Sequence, residues 1–288
     1  MDVGINFNGD QTFEKIRDGA RLSEELGYSN IWVGESVEFN HPFPVITAIA
    51  GATENIQLGS GIVSYYFNRP LHIKKAFETL VESYGERFTI ALAPGDLNSL
   101  RAAGIEISKP LSKLEETIAE LRASEALAKT PIYVGASGPK MIEVGSKLAD
   151  GVLLNYAHPD YVKWALEHLA RDTFVAVYAP ALLTPDSANE RSALIAASYV
   201  AAGANKTFQK EFGLTEFVEE IRKILRDKKF SELVKHREFL TSHFLISGDT
   251  EAIQKQINTF EKMGINQVIL GSPFCYNHDA IKAIGRVL

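Results

Sequence analysis

The stretch PIYVGASGPKM, residues 131–141, has the pattern of a β-strand that runs directly into a turn of small residues and glycines. A helical pattern, KMIEVGSKLAD, follows at once. The same order of a short apolar run and an amphipathic stretch recurs along the whole chain. This repeated unit therefore decides the fold class.

Eight apolar runs are each followed by a helical pattern, and they cover residues 3–7, 30–34, 56–63, 88–94, 131–135, 151–156, 173–180 and 267–273. Strands that are apolar on both faces and alternate with helices are typical of a parallel sheet. Eight units in one chain favour a closed barrel over an open doubly wound sheet. We therefore expect an α/β fold, a single (β/α)8 TIM barrel domain over residues 1–288.

The segment between the seventh and eighth runs, about residues 185–263, is too long for a simple connection. It contains several helical patterns, including EFVEEIRKILRDKK and TEAIQKQINTFEKMG. No low-complexity tract or linker rich in Pro, Gly and Ser marks a boundary. We interpret the segment as a helical excursion on the barrel and not as a second domain.

Composition excludes several classes of protein. A formal net charge of −6 disfavours nucleic acid as the main partner. One cysteine, Cys275, fits a reducing compartment, and the opening MDVGINF lacks the basic start of a signal peptide. No window approaches the ~18 unbroken apolar residues of a membrane span. These features predict a soluble, cytoplasmic protein without a membrane partner.

In a barrel of this type the active site lies where strands end and the following loops begin. Glu35 and Asp96 follow the second and fourth runs, so both carboxylates are expected at one mouth, as acid, base or charge stabiliser or as ordinary surface groups. The glycine turn at 135–138 is either a plain tight turn or a place where an anion approaches a helix N-terminus. Gly61 and Ile62 close the third run, where glycine often marks a bulge.

Motifs for metal or nucleophilic chemistry are missing from the sequence. The seven histidines show no zinc-binding spacing, and no G-x-S-x-G, C-x-x-C or G-x-x-x-x-G-K-[ST] motif occurs. We therefore expect no metal site.

Several segments in order resemble the luciferase-like superfamily of flavin- and deazaflavin-dependent barrel enzymes. They are GARLSEELGYSNIWVGES, IQLGSGIVSYYFNRP and ERFTIALAPGD. Within that superfamily, LAPGDLNSLRAAGIEISKPLSKLEETIAELR, PIYVGASGPKMIEVGSKLADGVLLNYAHP and GINQVILGSPFCYNHDAIKAIG are similar to the coenzyme F420-dependent methylenetetrahydromethanopterin reductases. The resemblance covers nearly the whole chain.

The resemblance implies a coenzyme site. The phosphate of coenzyme F420 would lie at the helix start formed by Gly135, Ala136, Ser137 and Gly138. A non-prolyl cis peptide in a β-bulge would back the coenzyme ring, at Gly61 and Ile62. Asn155 would lie beside the coenzyme as a polar contact.

The resemblance also implies catalytic residues. Glu35 and Asp96 match acidic positions near the ring and the pterin pocket, where they would supply a proton or stabilise an iminium substrate. Asn6 stands where the family has an acidic residue at the end of strand one. The connection at 124–131 is shorter than in the reductases. Both departures bear on the substrate more than on the coenzyme.

The implied activity is hydride transfer between coenzyme F420 and a methylene-tetrahydromethanopterin-type pterin of one-carbon metabolism in archaea, by a homodimer. Hydride transfer needs no nucleophile, which agrees with the missing dyad. Three alternatives stay open: an FMN-dependent monooxygenase of the same superfamily, a non-catalytic flavin-binding relative, and a barrel without a cofactor.

Overall fold

The computed structural model describes residues 1–288, with every side chain except those of residues 97 and 98. Eight parallel strands form a closed barrel, because β6 pairs with β7 and β9 pairs with both β1 and β7. The predicted (β/α)8 architecture is confirmed. The barrel strands are β1 (Asp2–Asn8), β2 (Asn30–Gly34), β3 (Gln57–Ser64), β4 (Phe88–Ala93), β5 (Ile132–Ala136), β6 (Gly151–Leu154), β7 (Phe174–Leu183) and β9 (Gln267–Gly271).

Helices follow the strands and cover the outside of the barrel. Five of them have proline in the first turn, where its missing N–H costs nothing because the first helical N–H groups have no partner in the helix. The outer helices are α1 (Phe13–Glu25), α2 (Pro42–Ala50), α3 (Pro70–Tyr84), α4 (Leu97–Ala102), α5 (Pro110–Arg122), α6 (Pro139–Leu148), α7 (Pro159–Leu166), α12 (Thr250–Lys262) and α13 (His278–Gly285).

The excursion between β7 and β9 is helical, as predicted. It contains α8 (Ser187–Ala202), α9 (Lys206–Glu211), α10 (Thr215–Arg226), a 3₁₀ segment (Phe230–His236) and α11 (Arg237–Phe244), and it ends with α12. It also contains β8 (Ile246–Gly248), which extends the end of β7 and which the sequence pattern did not predict. Three residues are too few to show a strand period.

The excursion packs on the barrel through stacked aromatic rings. Phe208 of α9 stacks on Tyr156 after β6, with ring centroids 4.8 Å apart. It also meets Tyr161 and Trp164 of α7 edge-on. These rings belong to the same buried core as the barrel helices.

The inside of the barrel is a second, smaller core around Trp32. The Trp32 indole is 1% exposed and donates a hydrogen bond to Gln267 Oε1 at 3.0 Å. A side chain at Gly59 would strike the indole ring, so the small residues of β3 leave the room that this large side chain needs. The barrel is therefore filled below its mouth.

A buried arginine fixes the opposite end of the barrel. Arg87 donates to the carbonyl oxygens of Ala50, Thr53 and Ile56, and Glu24 accepts the backbone N–H groups of residues 54, 55 and 56. The end of α2 is thereby tied to the start of β3. Within the described part of the chain, no helix is long and apolar enough to cross a membrane.

Candidate functional site

Glu35 follows β2 at the mouth of the barrel and is bonded to the end of β3. Its Oε2 accepts the backbone N–H of Ser64 at 2.6 Å, and its Oε1 accepts a hydrogen bond from Asn68 Nδ2 at 2.8 Å. The backbone N–H of Glu35 donates to the carbonyl oxygen of Ile62 at 3.2 Å. Both carboxylate oxygens are therefore already engaged by donors of the protein itself.

Ser64 connects this bridge to the loop that carries Asp96. The Ser64 hydroxyl donates to the carbonyl oxygen of Pro94 at 2.5 Å. Asp96 caps α4, because its Oδ2 accepts the backbone N–H of Ser99 at 2.7 Å, and the residue is exposed. The two predicted carboxylates thus lie at one mouth, where Ser64 is bonded both to Glu35 and to the loop that leads to Asp96.

The peptide bond between Gly61 and Ile62 is cis, and β3 shifts register against β4 between Ser60 and Val63. The structure thus has the bulge and the cis bond that the resemblance implied. Asn6 lies beside them, 2% exposed, with Nδ2 donating to the Gly61 carbonyl oxygen over a long 3.5 Å. A carboxylate at position 6 would face that oxygen without a proton to share.

The glycines of the 135–138 turn make room for side chains of the protein. A Cβ at Gly135 would lie 2.8 Å from Ile62 Cγ2, and a Cβ at Gly138 would lie 2.6 Å from Asn205 Nδ2. Asn205 Oδ1 in turn caps α9 by accepting the N–H of Thr207 at 2.8 Å. The turn is therefore packed against both the bulge and the excursion.

Gly138 is the residue that precedes the first turn of α6, and no side chain caps this helix. The first N–H groups of a helix and its dipole favour an anion. Leu154 pairs with Ala136, so Asn155 lies next to Ser137 across neighbouring strands. Asn155 Oδ1 is buried, with no hydrogen-bond partner among the residues described. These features fit a ligand that has an anionic group for the helix start and a hydrogen-bond donor for Asn155 Oδ1.

Two residues at the mouth were not found from the sequence. One is Asn205, which lies against Gly138. The other is Tyr178, whose ring packs on the interior core and whose hydroxyl lies where a side chain at Gly271 would be. Burial raises the pKa of Tyr178, as do the nearby Cys275 and Asp10. The alternation of side chains along β7, which places residue 178 inside the barrel, is the sequence signal for this residue.

The rim at β1 and β9 is closed by hydrogen bonds. The Tyr276 hydroxyl accepts the N–H of Asn8 at 3.0 Å and is also bonded to Asp10. Asn277 Nδ2 donates to Asp186 Oδ2 at 2.9 Å. No cluster of three or more His, Cys, Asp or Glu suited to a metal ion occurs among the side chains described.

Comparison with protein families agrees with this geometry. The model of the luciferase-like monooxygenase family matches residues 1–125 and 122–267, which is most of the chain. The chain belongs to this family.

Two curated relatives cover almost the same length. A 5,10-methylenetetrahydromethanopterin reductase of Methanolobus tindarius is 27% identical over 322 residues, covering 99% of each chain. A protein of the same name from Archaeoglobus fulgidus is 28% identical, covering 95% of this chain and 94% of the relative. The first alignment is longer than the 288 residues here, so that relative has residues that this chain lacks.

A similar fold is known experimentally. The coenzyme F420-dependent tetrahydromethanopterin reductase of Methanopyrus kandleri superposes with a TM-score of 0.84 at 22% identity, covering 99% of this chain and 97% of that one. At this identity the likeness concerns the fold.

Proposed function

We propose that the protein is an oxidoreductase that transfers a hydride between coenzyme F420 and a methylene-tetrahydromethanopterin-type pterin. One observation carries the proposal. The start of α6, the β3 bulge and the unpartnered Asn155 Oδ1 converge at one mouth, in a chain similar over its full length to named reductases of this pterin.

Coenzyme binding is assigned to residues on two sides of the mouth. The N–H groups at the start of α6, with Gly135, Ala136, Ser137 and Gly138, would hold the coenzyme phosphate. Asn155 Oδ1 would accept a hydrogen bond from the coenzyme, which would satisfy the buried oxygen. Gly61 and Ile62 would support the ring from β3. When bound, the reduced coenzyme supplies the hydride that converts a methylene group to a methyl group.

Glu35 is assigned a positioning role. Its oxygens hold Ser64 and Asn68, and a group engaged by two donors is poorly placed to exchange a proton with a substrate. Through Ser64 it fixes the end of β3 beside the bulge. Asn6 supports the same segment through the Gly61 carbonyl oxygen.

Asp96 is assigned the role of proton donor to the substrate. It is exposed at the mouth, and its position at the start of α4 is fixed by one backbone N–H. A carboxyl group in that place can deliver the proton that a pterin nitrogen takes up when the methylene bridge opens, or its charge can stabilise a cationic iminium.

Assembly and location follow the resemblance. We propose a homodimer in the cytoplasm, and light scattering on the purified protein tests the dimer directly. A mass near twice 31.8 kDa is expected. A mass of one chain at micromolar concentration would contradict it.

The activity is tested by following the absorbance of reduced F420 while methylene-tetrahydromethanopterin is added. We expect oxidation of the coenzyme that requires the pterin, with the methyl-pterin as product. A protein that binds F420 but shows no pterin-dependent oxidation would contradict the pterin reaction. Oxidation by dioxygen alone, with FMN as the preferred cofactor, would favour a monooxygenase.

A further inference from the structure

Helix α8 forms one wall of the mouth. It begins directly after β7, and Asp186 at its start is bonded to Asn277 after β9. Just beyond its end, Asn205 lies against Gly138 after β5. The helix therefore runs along the rim from the β9 side to the β5 side.

The end of this helix is firmly held. Arg222 Nε donates to the carbonyl oxygen of Ala202 at 2.8 Å, and Gln209 Nε2 donates to that of Ala204 at 2.6 Å. A cation at a helix C-terminus is favourable because the last carbonyl groups carry a partial negative charge. The position of α8 is therefore fixed by contacts within the protein itself.

One face of α8 packs inward, and an adjoining stripe is only partly covered. The inward face is buried and consists of Ala193, Leu194, Ala197, Ser198, Ala201 and Ala202. The adjoining stripe, at intervals of three and four residues, has no charged side chain: Ser192 and Tyr199 are exposed, and Ile195 and Ala196 between them are half-buried. A surface helix normally places charges on such a face.

Tyr199 is the large side chain of this stripe, and it is 47% exposed. It stands six residues before Asn205, so it lies toward the β5 end of the rim, and β5 pairs with β4, the strand that leads to Asp96. Burial raises the pKa of Tyr199, and the charges of Glu38 and Asp96 raise it further. Tyr199 therefore lies within reach of the charges on the loops after β2 and β4.

We propose that the α8 stripe, with Tyr199 at its C-terminal end, is the surface on which the aromatic ring system of the pterin substrate packs, opposite Asp96. This inference rests on the proposed function and extends it to a residue that determines substrate affinity. A flat, uncharged ring gains from an uncharged helix face and from stacking on a tyrosine ring. The acidic groups opposite then meet the polar edge of the substrate.

The test compares Tyr199→Ala and Tyr199→Phe with the wild-type enzyme, and uses Val234→Ala as a matched control. Val234 is also an exposed apolar residue of the excursion, 64% exposed, and lies on the 3₁₀ segment. For each protein, KM for the methylene-pterin, kcat and the Kd for F420 are measured.

We expect Tyr199→Ala to raise KM about tenfold while the Kd for F420 stays within a factor of about two. Tyr199→Phe keeps the ring and should restore KM, and Val234→Ala should leave all three constants unchanged. If Tyr199 had only a structural role, Tyr199→Ala would change KM for the pterin and Kd for F420 together, and Tyr199→Phe would not restore KM.

An unchanged KM in Tyr199→Ala overturns the inference. An equal loss of F420 affinity overturns it as well, because the stripe would then contact the coenzyme. If the wild-type protein itself turns over no pterin, the proposed function has failed and the inference falls with it. That case is recognised before any variant is made.

Discussion

The carboxylate of Glu35 accepts the backbone N–H of Ser64 at 2.6 Å, which joins the loop after β2 to the end of β3. This bond and the one from Asn68 fix the segment beside Gly61 and Ile62. A residue that works by holding the backbone has different consequences on mutation from one that transfers a proton. The first prediction separates the two.

Glu35→Gln should weaken F420 binding and lower the free energy of unfolding by about 1–3 kcal/mol. A glutamine amide can accept from Ser64 only by turning its own N–H₂ group toward the Asn68 donor. Calorimetric titration and urea unfolding measure the two effects. Glu82→Gln, at an exposed position of α3, is the control. Normal affinity and stability combined with lost turnover would instead make Glu35 a proton carrier.

Asp96→Asn should lower kcat about 10²-fold while leaving stability and F420 affinity close to wild type. Asparagine caps a helix about as well as aspartate, so α4 is preserved. Asp96→Ala, which also loses the cap, should cost about 1 kcal/mol of stability in addition. Steady-state kinetics and thermal unfolding of both variants provide the measurement. Turnover unchanged in Asp96→Asn would remove this residue from the mechanism.

Asn6→Asp should destabilise the protein at neutral pH by about 1–3 kcal/mol, because it places a carboxylate in a buried position facing the Gly61 carbonyl oxygen. Burial raises the pKa of such a carboxyl, so the loss should shrink as the pH falls and the group takes up a proton. Urea unfolding at pH values of about 5 and 8 tests this. Asn8→Asp, at the partly exposed end of β1, is the control. An equal loss at both pH values would show that charge is not the cause.

Gly138→Ala should destabilise the protein, since its Cβ would lie 2.6 Å from Asn205 Nδ2. Adding Asn205→Ala removes the obstacle, so the double variant should lose less than the sum of the two single variants. Denaturant unfolding of the four proteins forms a double-mutant cycle. Additive losses would mean that the two residues do not compete for this space. Gly138→Glu, which adds charge as well as bulk, should abolish F420 binding.

Stability should decrease as the pH falls through the range in which His243 titrates. Burial lowers the pKa of His243, and the stacked ring of His158, with centroids 4.7 Å apart, lowers it further. Since the unfolded chain binds this proton more readily, protonation below pH ~6.5 favours unfolding. The nearby Asp160 carboxylate opposes this in part.

His243→Phe keeps the stacking with Phe239 and His158 but cannot be protonated. Its unfolding free energy should therefore vary less than that of the wild type between pH values of about 7 and 5. The exposed His278→Asn serves as control. Parallel pH profiles for wild type and His243→Phe would assign the acid sensitivity to other groups.

The alternation of apolar runs and helical patterns was sufficient to predict the barrel. Each of the eight strands overlaps its apolar run, because each is largely buried on both faces and leaves a continuous signal. The ends differ by no more than two residues except in β7, which extends to Leu183. The strand β8 was missed, since Ile246–Gly248 is too short to show a period. The excursion was recognised by its length and its helical patterns.

The site was predicted only in part. Their positions at strand ends predict that Glu35, Asp96 and the 135–138 turn lie at one mouth. These positions do not predict which residues they contact. The pairing of Gly138 with Asn205 joins segments that lie far apart in sequence, and no local pattern reports it. The same holds for the bonds from Ser64 and Asn68 to Glu35, on which its proposed positioning role rests.

The most direct test of the central claim is a calorimetric titration of the purified protein with F420 and, separately, with FMN. The account predicts a micromolar or tighter Kd for F420 and much weaker binding of FMN. Tighter binding of FMN, or heat from neither cofactor, would contradict it. The second result would mean that the start of α6 and Asn155 do not form a coenzyme site.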